Sequence, residues 1–147
     1  RGSDVLYLNK LYGHRHLPSP SRIGGRAPAH CTAVGKALLA HVDAFRPEEI
    51  DLEIRTKNTV SDSSSLGREL MDVRRTGIAF DREEVLLGLN CVGAVVSAGL
   101  GKPVAAMSVS GSASSLDLSA HTHILRRVCS AASRAMSTHR IGRPEAG

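Results

Sequence analysis

A small group of polar side chains in the second half of the chain has the residue types and spacing of a ligand-binding cavity. Ser108 and Ser110 are two residues apart, so in a β-strand both face the same side of the sheet. Leu89 and Cys91 share a face of the preceding strand for the same reason, and a hairpin would place that face beside the two serines. Asp81 ends the strand before them. Two hydroxyls, a thiol and a carboxylate could together bind a small polar molecule.

An organic acid or a hydroxy acid would suit such a cavity. The helix that begins near Thr32 could offer its first backbone N–H groups to a carboxylate. Ser108 and Ser110 could donate hydrogen bonds, and Asp81 could accept one from a hydroxyl. Alternatively, the small residues only permit close packing of sheet and helix, and Asp81 only caps a turn. Spacing alone leaves both interpretations open.

Common catalytic signatures are absent. His30 stands where a phosphate-binding loop has its first glycine, and Lys36 is followed by Ala37 instead of Ser or Thr. The Gly99-x-Gly101 pair lies in a hairpin turn without a following helix. The run Ser108-Val-Ser-Gly111 lacks the glycine that a nucleophile elbow has two residues before its serine. The sequence therefore predicts a protein that is not an enzyme.

The three cysteines fit neither a disulfide framework nor a zinc site, because Cys31, Cys91 and Cys129 form no CxxC pair. We predict no metal site and no cofactor, although His14 and His16 could share a strand face. One enzymatic alternative is a thiol enzyme or redox sensor that uses Cys91, with His30 or Cys31 nearby. It requires a thiol of lowered pKa.

Charge and composition limit the other function classes. The 147 residues carry a formal charge of +5, and aromatic residues make up 3% of the chain, too few for a base-stacking platform. Most of the basic excess lies after residue 120, on Arg126, Arg127 and Arg134 of a predicted helix and on the tail. These arginines are either a solvated helix face or a patch for phosphate or an acidic partner. No apolar run reaches membrane-spanning length and no signal segment opens the chain, so we expect a cytoplasmic domain.

The pattern along the chain predicts the elements that position the polar group. Gly35 lies inside the first predicted helix, where glycine lowers helix stability by ~1 kcal/mol relative to alanine. In the last predicted helix, residues 116–136, one apolar stripe is expected to face the core. Together the elements predict an α+β domain around a mostly antiparallel sheet. In order, we expect a strand at 4–12, a helix from Thr32, a short helix at 47–51, a helix that ends at Gly77, a strand at 78–81, a hairpin of 89–98 with 103–111, and the last helix. The helix that ends at Gly77 carries Leu66, Leu70 and Val73 on one face. The apolar stripe of the last helix consists of His121, Ile124/Leu125, Val128, Ala131/Ala132 and Ala135.

Several motifs agree, in order and spacing, with one known family. They are Arg26-x-Pro28-x-His30-x-Thr32-Ala33-x-Gly35-Lys36-Ala37, Thr56-x-Asn58-Thr59-Val60, Asp81-x-Glu83-Glu84 with Gly88, Cys91-Val-Gly-Ala94, and Ala105-Ala-x-Ser108-Val-Ser-Gly111. Through them, residues 4–138 resemble the effector-binding domain of IclR-family bacterial transcription regulators. One departure is Gly93-Ala-Val-Val96, where that family commonly has a proline, which leaves the local path of this strand open.

The resemblance implies a GAF-like α+β fold that binds a small metabolite, an organic acid or aromatic catabolite, and works in dimers or tetramers. It also implies a preceding winged helix-turn-helix that binds DNA. Carried over residue by residue, the effector site consists of Ala33, Val34, Asp81, Leu89, Cys91, Ser108 and Ser110. We add Thr32, where the helix is expected to begin. Residues 1–3 are then interpreted as a cloning scar or linker remnant, 4–138 as the effector-binding domain, and 139–147 as a flexible tail. The sequence does not identify the effector, the target promoters, or whether the regulator represses or activates.

Overall fold

The computed structural model of this chain describes residues 3–13 and 17–138. Residues 1–2 of the predicted remnant 1–3, the predicted tail 139–147 and the pair His14 and His16 therefore lie outside the described residues. Within the described part, no helix is long and apolar enough to cross a membrane.

The chain folds into an α+β domain with antiparallel pairing, as the sequence predicts, but its strands form two sheets instead of one. A two-stranded sheet pairs β1 with β2, and a three-stranded sheet has the order β3-β4-β5. The elements are β1 (Asp4–Leu6), β2 (Arg26–Pro28), a 3₁₀ helix (Ala29–Cys31), α1 (Ala33–Leu39), a second 3₁₀ helix (Pro47–Glu49), α2 (Ser63–Thr76), β3 (Ala79–Arg82), β4 (Leu89–Ala98), β5 (Lys102–Ser112) and α3 (Leu118–Thr138).

The register of the three-stranded sheet places the predicted polar side chains on one face. Cys91 of β4 lies opposite Asp81 of β3 on one side and opposite Ser110 of β5 on the other. Ser108 lies opposite Gly93. Directly paired residues of antiparallel strands share a face, so these side chains all point to the side that α1 covers. The prediction from strand parity is confirmed.

The two faces of the sheet carry two separate apolar clusters. On the α1 side, Leu66, Leu70 and Val73 of α2 pack with residues of α1 and with Ala79 of β3. On the opposite side, Leu125 and Cys129 of α3 pack against even-numbered residues of β4: Val92, Ala94 and Val96. The sheet is thus covered on both faces, and α1 approaches it most closely over Gly93, where a Cβ atom would lie 2.7 Å from the carbonyl carbon of Ala33.

Local side-chain chemistry sets the ends of α2. Its N-cap is Asp62, whose Oδ1 accepts a hydrogen bond from the Ser65 N–H at 2.8 Å. Its C-cap is Gly77, with φ +75°, a left-handed conformation that glycine adopts without steric cost. Arg126 of α3 donates to the Thr76 carbonyl at 2.9 Å, so one of the three predicted surface arginines helps to cap this helix.

The first predicted strand ends sooner than its sequence pattern indicates. Tyr7 still exchanges backbone hydrogen bonds with Gly24 and Gly25, but beyond it the partner chain turns away at Gly24, whose φ is +77°. The alternating pattern of residues 8–12 therefore lacks a neighbouring strand. The sequence also missed β2, because three residues between a glycine pair and a proline carry too little periodicity to be recognised.

The buried stripe of α3 is rotated from its predicted position. Leu125 and Cys129 are the buried residues of this helix, and the predicted stripe contained Leu125 but not Cys129. Ile124 and Val128, which the pattern placed toward the core, are 54% and 44% exposed. A single helix of small apolar residues has two adjacent faces of similar hydropathy, and only the sheet decides which of them is buried.

Candidate functional site

All eight side chains predicted for the effector site line one cavity, which lies between the start of α1 and the facing side of β3, β4 and β5. Its free space is ≈ 30 Å³, enough for about two water molecules. The eight residues are Thr32, Ala33, Val34, Asp81, Leu89, Cys91, Ser108 and Ser110. The structure thus brings the predicted group together from four separate segments of the chain.

Asp81 lies at the buried end of the cavity and is 2% exposed. Its Oδ1 accepts hydrogen bonds from the backbone N–H groups of Glu84 at 2.8 Å and Val85 at 3.4 Å. Burial raises the pKa of this carboxyl, while these two bonds and the nearby Lys36 ammonium oppose that shift. Asp81 therefore both caps the β3–β4 turn and presents a carboxyl group to the cavity, so the two interpretations of this residue are compatible.

Cys91 connects the carboxyl group to the outer strand. Ser110 Oγ donates a hydrogen bond to Cys91 Sγ at 3.0 Å, and Cys91 lies opposite Asp81 in the β3–β4 pair. The hydroxyl hydrogen of Ser110 is used within the protein, whereas the sequence prediction made Ser110 a donor to the ligand. A neighbour from β4 takes this proton here, so the donor role of Ser110 toward a ligand stays a prediction that requires its hydroxyl to rotate.

The start of α1 closes another wall of the cavity. Thr32 is the N-cap: its Oγ1 accepts from the Gly35 N–H at 3.2 Å and donates to the Pro28 carbonyl at 3.0 Å. Ala33 and Val34 form the first turn of the helix, where backbone N–H groups have no partner within the helix. The apolar side chains of these two residues lie against the polar end of the sheet.

Five residues that line the cavity were missed by the sequence analysis: Tyr7, Ser19, Pro20, Ser21 and Val85. Four of them belong to two segments that cover the cavity, 7–13 and 17–25, which Lys10 joins through a hydrogen bond from Nζ to the Ser21 carbonyl at 2.7 Å. The Pro18-Ser-Pro20 turn was the only local signal. A turn motif indicates a change of direction but not which surface the turn will cover.

A second groove, of about 460 Å³, contains none of the eight predicted residues. It is lined by Ser3, Asp4, Pro28, His30, Phe45, Glu49, Ile50, Asp51 and Glu53. Among the described residues, no group of three His, Cys, Asp or Glu side chains is placed to hold a metal ion. The smaller cavity is therefore our candidate site.

The electrostatics of the cavity disfavour the thiol-enzyme alternative. Burial raises the pKa of Cys91 to about 12, and the neighbouring Asp81 carboxylate adds to the shift. Burial raises the pKa of Cys31 to about 12 as well. A nucleophilic or redox-active thiol needs the opposite shift, since only the thiolate attacks.

We expect Cys91 to react slowly with iodoacetamide in the folded protein. A pKa near 12 in place of 9 leaves roughly a thousandfold less thiolate at pH 8. Mass spectrometry of peptides labelled in buffer and in urea measures each cysteine against its own unfolded reference. Labelling of Cys91 in the folded state at the unfolded rate would contradict the assignment of an inert thiol.

Comparison with known proteins agrees with the family resemblance found in the sequence. The family model described as bacterial transcriptional regulator IclR C-terminal matches residues 1–138. The HTH-type transcriptional regulator BhcR of Paracoccus denitrificans is 35% identical over 114 residues, which cover 75% of this chain and 41% of that protein. This chain thus spans less than half of that relative's length.

Solved structures share the fold. The crystal structure of IclR from Thermotoga maritima superposes with a TM-score of 0.85 at 30% identity, covering 92% of this chain and 58% of that one. An IclR homologue from Microbacterium hydrocarbonoxydans, crystallised in complex with 4-hydroxybenzoate, superposes with a TM-score of 0.81 at 25% identity, covering 92% of this chain and 58% of that one. The GAF-like architecture predicted from the sequence is confirmed.

Proposed function

Since this chain belongs to the C-terminal domain family of IclR-type bacterial transcriptional regulators, we propose that it senses a small organic acid or aromatic catabolite and thereby modulates promoter binding. The observation that carries the proposal is the convergence of the eight predicted residues on one cavity. A winged helix-turn-helix outside this chain would contact DNA, and the complete regulator would act in the cytoplasm. Residues 4–138 would form the sensing domain.

The small volume of the cavity requires a movement when a ligand binds. A free space of ≈ 30 Å³ does not admit an organic acid. Residues 17, 18 and 20 of the cover are exposed, and a hydrogen bond from Lys10 to the Ser21 carbonyl joins this segment to residues 7–13, in addition to the backbone bonds of Tyr7 with Gly24 and Gly25. We infer that ligand entry displaces this cover while the sheet and α1 stay in place.

Assembly into dimers or tetramers is the second part of the proposal. A ligand alters promoter binding only if its affinity differs between two arrangements of the subunits. Ile124 and Val128 give α3 an exposed apolar surface beside its buried stripe, which supports contact with a second copy of the chain. Sedimentation velocity with and without ligand measures the assembly state, and a monomer at all concentrations would contradict this part.

We expect Ser108→Ala to weaken binding of the ligand by about 2- to 10-fold without loss of stability, because a net hydrogen bond contributes about 0.5–1.5 kcal/mol. The Ser108 side chain is exposed at the cavity, so loss of its hydroxyl should leave the fold intact. A thermal-shift screen of organic acids and aromatic carboxylates, 4-hydroxybenzoate included, first identifies a ligand. Calorimetry then compares the variant with the wild type.

Ser112→Ala is the matched control for this experiment. Ser112 belongs to the same strand, faces the same side and bonds to Ser114 at 2.9 Å outside the cavity. Equal affinities in the wild type and the Ser108→Ala variant would exclude the proposed site. Asp81→Ala is a less specific test, because it also removes the acceptor that caps the β3–β4 turn.

A further inference from the structure

We propose that binding of an organic anion in the cavity is coupled to the uptake of a proton by a neighbouring ion cluster, so that the protein binds the anion more tightly at about pH 6 than at about pH 8.5. The ion cluster consists of Lys36, Glu69, Glu84 and Asp81. The inference rests on the proposed ligand-sensing function and adds to it a regulation of ligand affinity by pH.

The ion cluster contains more acidic groups than basic ones. The ammonium group of Lys36 is 0% exposed and contacts Glu69 Oε1 at 2.6 Å and Glu84 Oε2 at 2.7 Å. Asp81 joins the cluster through its Oδ1, which accepts a hydrogen bond from the Glu84 backbone N–H at 2.8 Å. Three carboxyl groups thus accompany one buried ammonium group. Ionisation of all three leaves an excess of negative charge away from water, which is unfavourable.

Glu84 is the carboxyl group of the cluster that most readily takes up a proton. The Glu69 side chain is 30% exposed, so water solvates its charge. Asp81 Oδ1 accepts from two backbone N–H groups, those of Glu84 and Val85, which stabilise its charged form. The Glu84 side chain is 11% exposed, and among the described residues Lys36 is its one hydrogen-bond donor. Protonation of the cluster therefore occurs first at Glu84.

The charges around Glu84 agree with this assignment. Charged or titratable groups face it from the surrounding elements: Lys36 of α1, Glu69 of α2, Asp81 of β3 and, around the first 3₁₀ helix, Cys31 and Arg55. Burial raises the pKa of Glu84 from 4.5 to about 7, because it outweighs the opposing effect of the Lys36 ammonium. The carboxylates of Glu69 and Asp81 add to the rise. Glu84 is therefore protonated in roughly half of the molecules at neutral pH.

A ligand anion adds a further negative charge beside the ion cluster. Asp81 and Val85 both line the cavity, on either side of Glu84 in the sequence. Among the described residues that line the cavity, none has a cationic side chain, and Lys36 is already bonded to two carboxylates. The charge of the ligand therefore raises the pKa of Glu84 further. The ligand-bound protein then holds more protons than the free protein.

The size of the pH effect follows from this difference in bound protons. Because the coupling is reciprocal, a ligand that strengthens proton binding by Glu84 tenfold gains up to tenfold in its own affinity at low pH. We expect the affinity to rise by about 3- to 10-fold between about pH 8.5 and about pH 6. Near pH 7.5, roughly half a proton should be taken up for each ligand bound.

The β3–β4 turn has other contacts that hold it when Glu84 is neutral. Thr59 Oγ1 donates to the Glu84 carbonyl at 2.7 Å, and Thr56 Oγ1 donates to the Glu83 carbonyl at 2.6 Å. Lys36 keeps its bond to Glu69, which joins α1 to α2. Proton uptake therefore changes the charge of the ion cluster without unfolding the turn beside the cavity.

Calorimetry with benzoate and glycolate measures the coupling in the wild type. The carboxylate of each probe stays ionised from about pH 6 to about pH 8.5, so the probe itself takes up no proton. Titrations in Tris and in HEPES, whose ionisation enthalpies differ, give the number of protons taken up at pH 7.5. Equal binding enthalpies in the two buffers, with an affinity independent of pH, would overturn the coupling and leave the sensing function intact.

Glu84→Gln assigns the proton to one residue. Glutamine keeps the shape of the side chain and stays neutral, so we expect proton uptake near zero and, at every pH, the affinity of the wild type at about pH 6. Glu83→Gln is the matched control, since it removes a charge from the same turn and keeps the oxygen that accepts from the Gly88 N–H at 2.8 Å. It should behave as the wild type does. Proton uptake that persists in Glu84→Gln would overturn the role of Glu84.

A carbon NMR titration of the glutamate carboxyl groups replaces the variant if Glu84→Gln does not fold. Saturating benzoate should raise the pKa of the glutamate that titrates near neutral pH, and an unchanged pKa would overturn the proposal. No binding of either probe at any pH overturns the organic-acid ligand, and the coupling with it. Failure of the proposed function is thus seen as absent binding, whereas failure of the coupling alone is seen as binding that does not depend on pH.

Discussion

Gly35→Ala is expected to lower the free energy of unfolding by about 3 kcal/mol, although alanine is the better helix former by ~1 kcal/mol. Gly35 lies in the first turn of α1, directly against the preceding 3₁₀ helix. A Cβ atom there would overlap the Cα and carbonyl oxygen of Ala29 and lie 2.5 Å from Thr32 Oγ1. These are mostly backbone atoms, which cannot move aside without separating α1 from the 3₁₀ helix. Urea unfolding followed by circular dichroism measures the loss.

Gly67→Ala is the matched control for Gly35→Ala. Gly67 lies inside α2, where the nearest atom to an added Cβ is Pro47 Cγ at an ordinary 3.7 Å. Without a clash, helix propensity alone determines the effect, and we expect the free energy of unfolding to rise by about 0.5–1 kcal/mol. The same substitution should therefore destabilise the protein in α1 and stabilise it in α2. A stabilising Gly35→Ala would show that the contact of α1 with Ala29 is not a close one.

Lys36→Met is expected to destabilise the fold by about 3–5 kcal/mol. The ammonium group is 0% exposed and bonds to Glu69 Oε1 at 2.6 Å and Glu84 Oε2 at 2.7 Å. It thereby joins α1 to α2 and to the turn that Asp81 caps. Methionine matches the length of the lysine stem but leaves the Glu84 carboxylate, whose side chain is 11% exposed, without a counter-charge. Thermal and urea unfolding measure the change.

The loss caused by Lys36→Met should depend on pH. Burial raises the pKa of Glu84 from 4.5 to about 7 even with Lys36 present, and removal of the lysine raises it further. A carboxyl with a raised folded pKa contributes stability below its unfolded pKa, and that contribution is lost as the pH rises through the folded pKa. The variant should therefore be closer to the wild type at pH 5 than at pH 8.

Two further variants separate the effect of the unpaired buried charge on stability from the effect of lost packing. Glu84→Gln combined with Lys36→Met should recover part of the stability at pH 8, because the unpaired carboxylate is removed. Lys57→Met changes an exposed lysine and should stay within about 0.5 kcal/mol of the wild type. A Lys36→Met protein with wild-type stability at both pH values would contradict a structural role of the ion cluster.

The residues of the candidate site were accessible to sequence reasoning because strand parity is a local rule. Side chains two apart in a strand share a face whatever the rest of the chain does, which is why Ser108, Ser110 and Cys91 could be grouped before their surroundings were known. The family resemblance supplied Ala33 and Val34, for which parity offers no reason, and Thr32 came from the predicted start of the helix. Neither strand parity nor the family resemblance predicted the cover over the cavity, because Tyr7 and Ser21 line the cavity through contacts between distant segments.

The sequence by itself determined the hairpin, the end of α2 at Gly77 and the common face of the serines, because each depends on neighbours only a few residues away. Only the tertiary structure decided the direction of the Ser110 hydrogen bond, the burial of Lys36 and the need for glycine at position 35. In each of these cases the deciding atom comes from another element: Cys91 Sγ from β4, Glu84 from the β3–β4 turn, or the backbone of Ala29 in the 3₁₀ helix. Residue type and spacing do not determine the position of such an atom, and the chemistry of the cavity depends on that position.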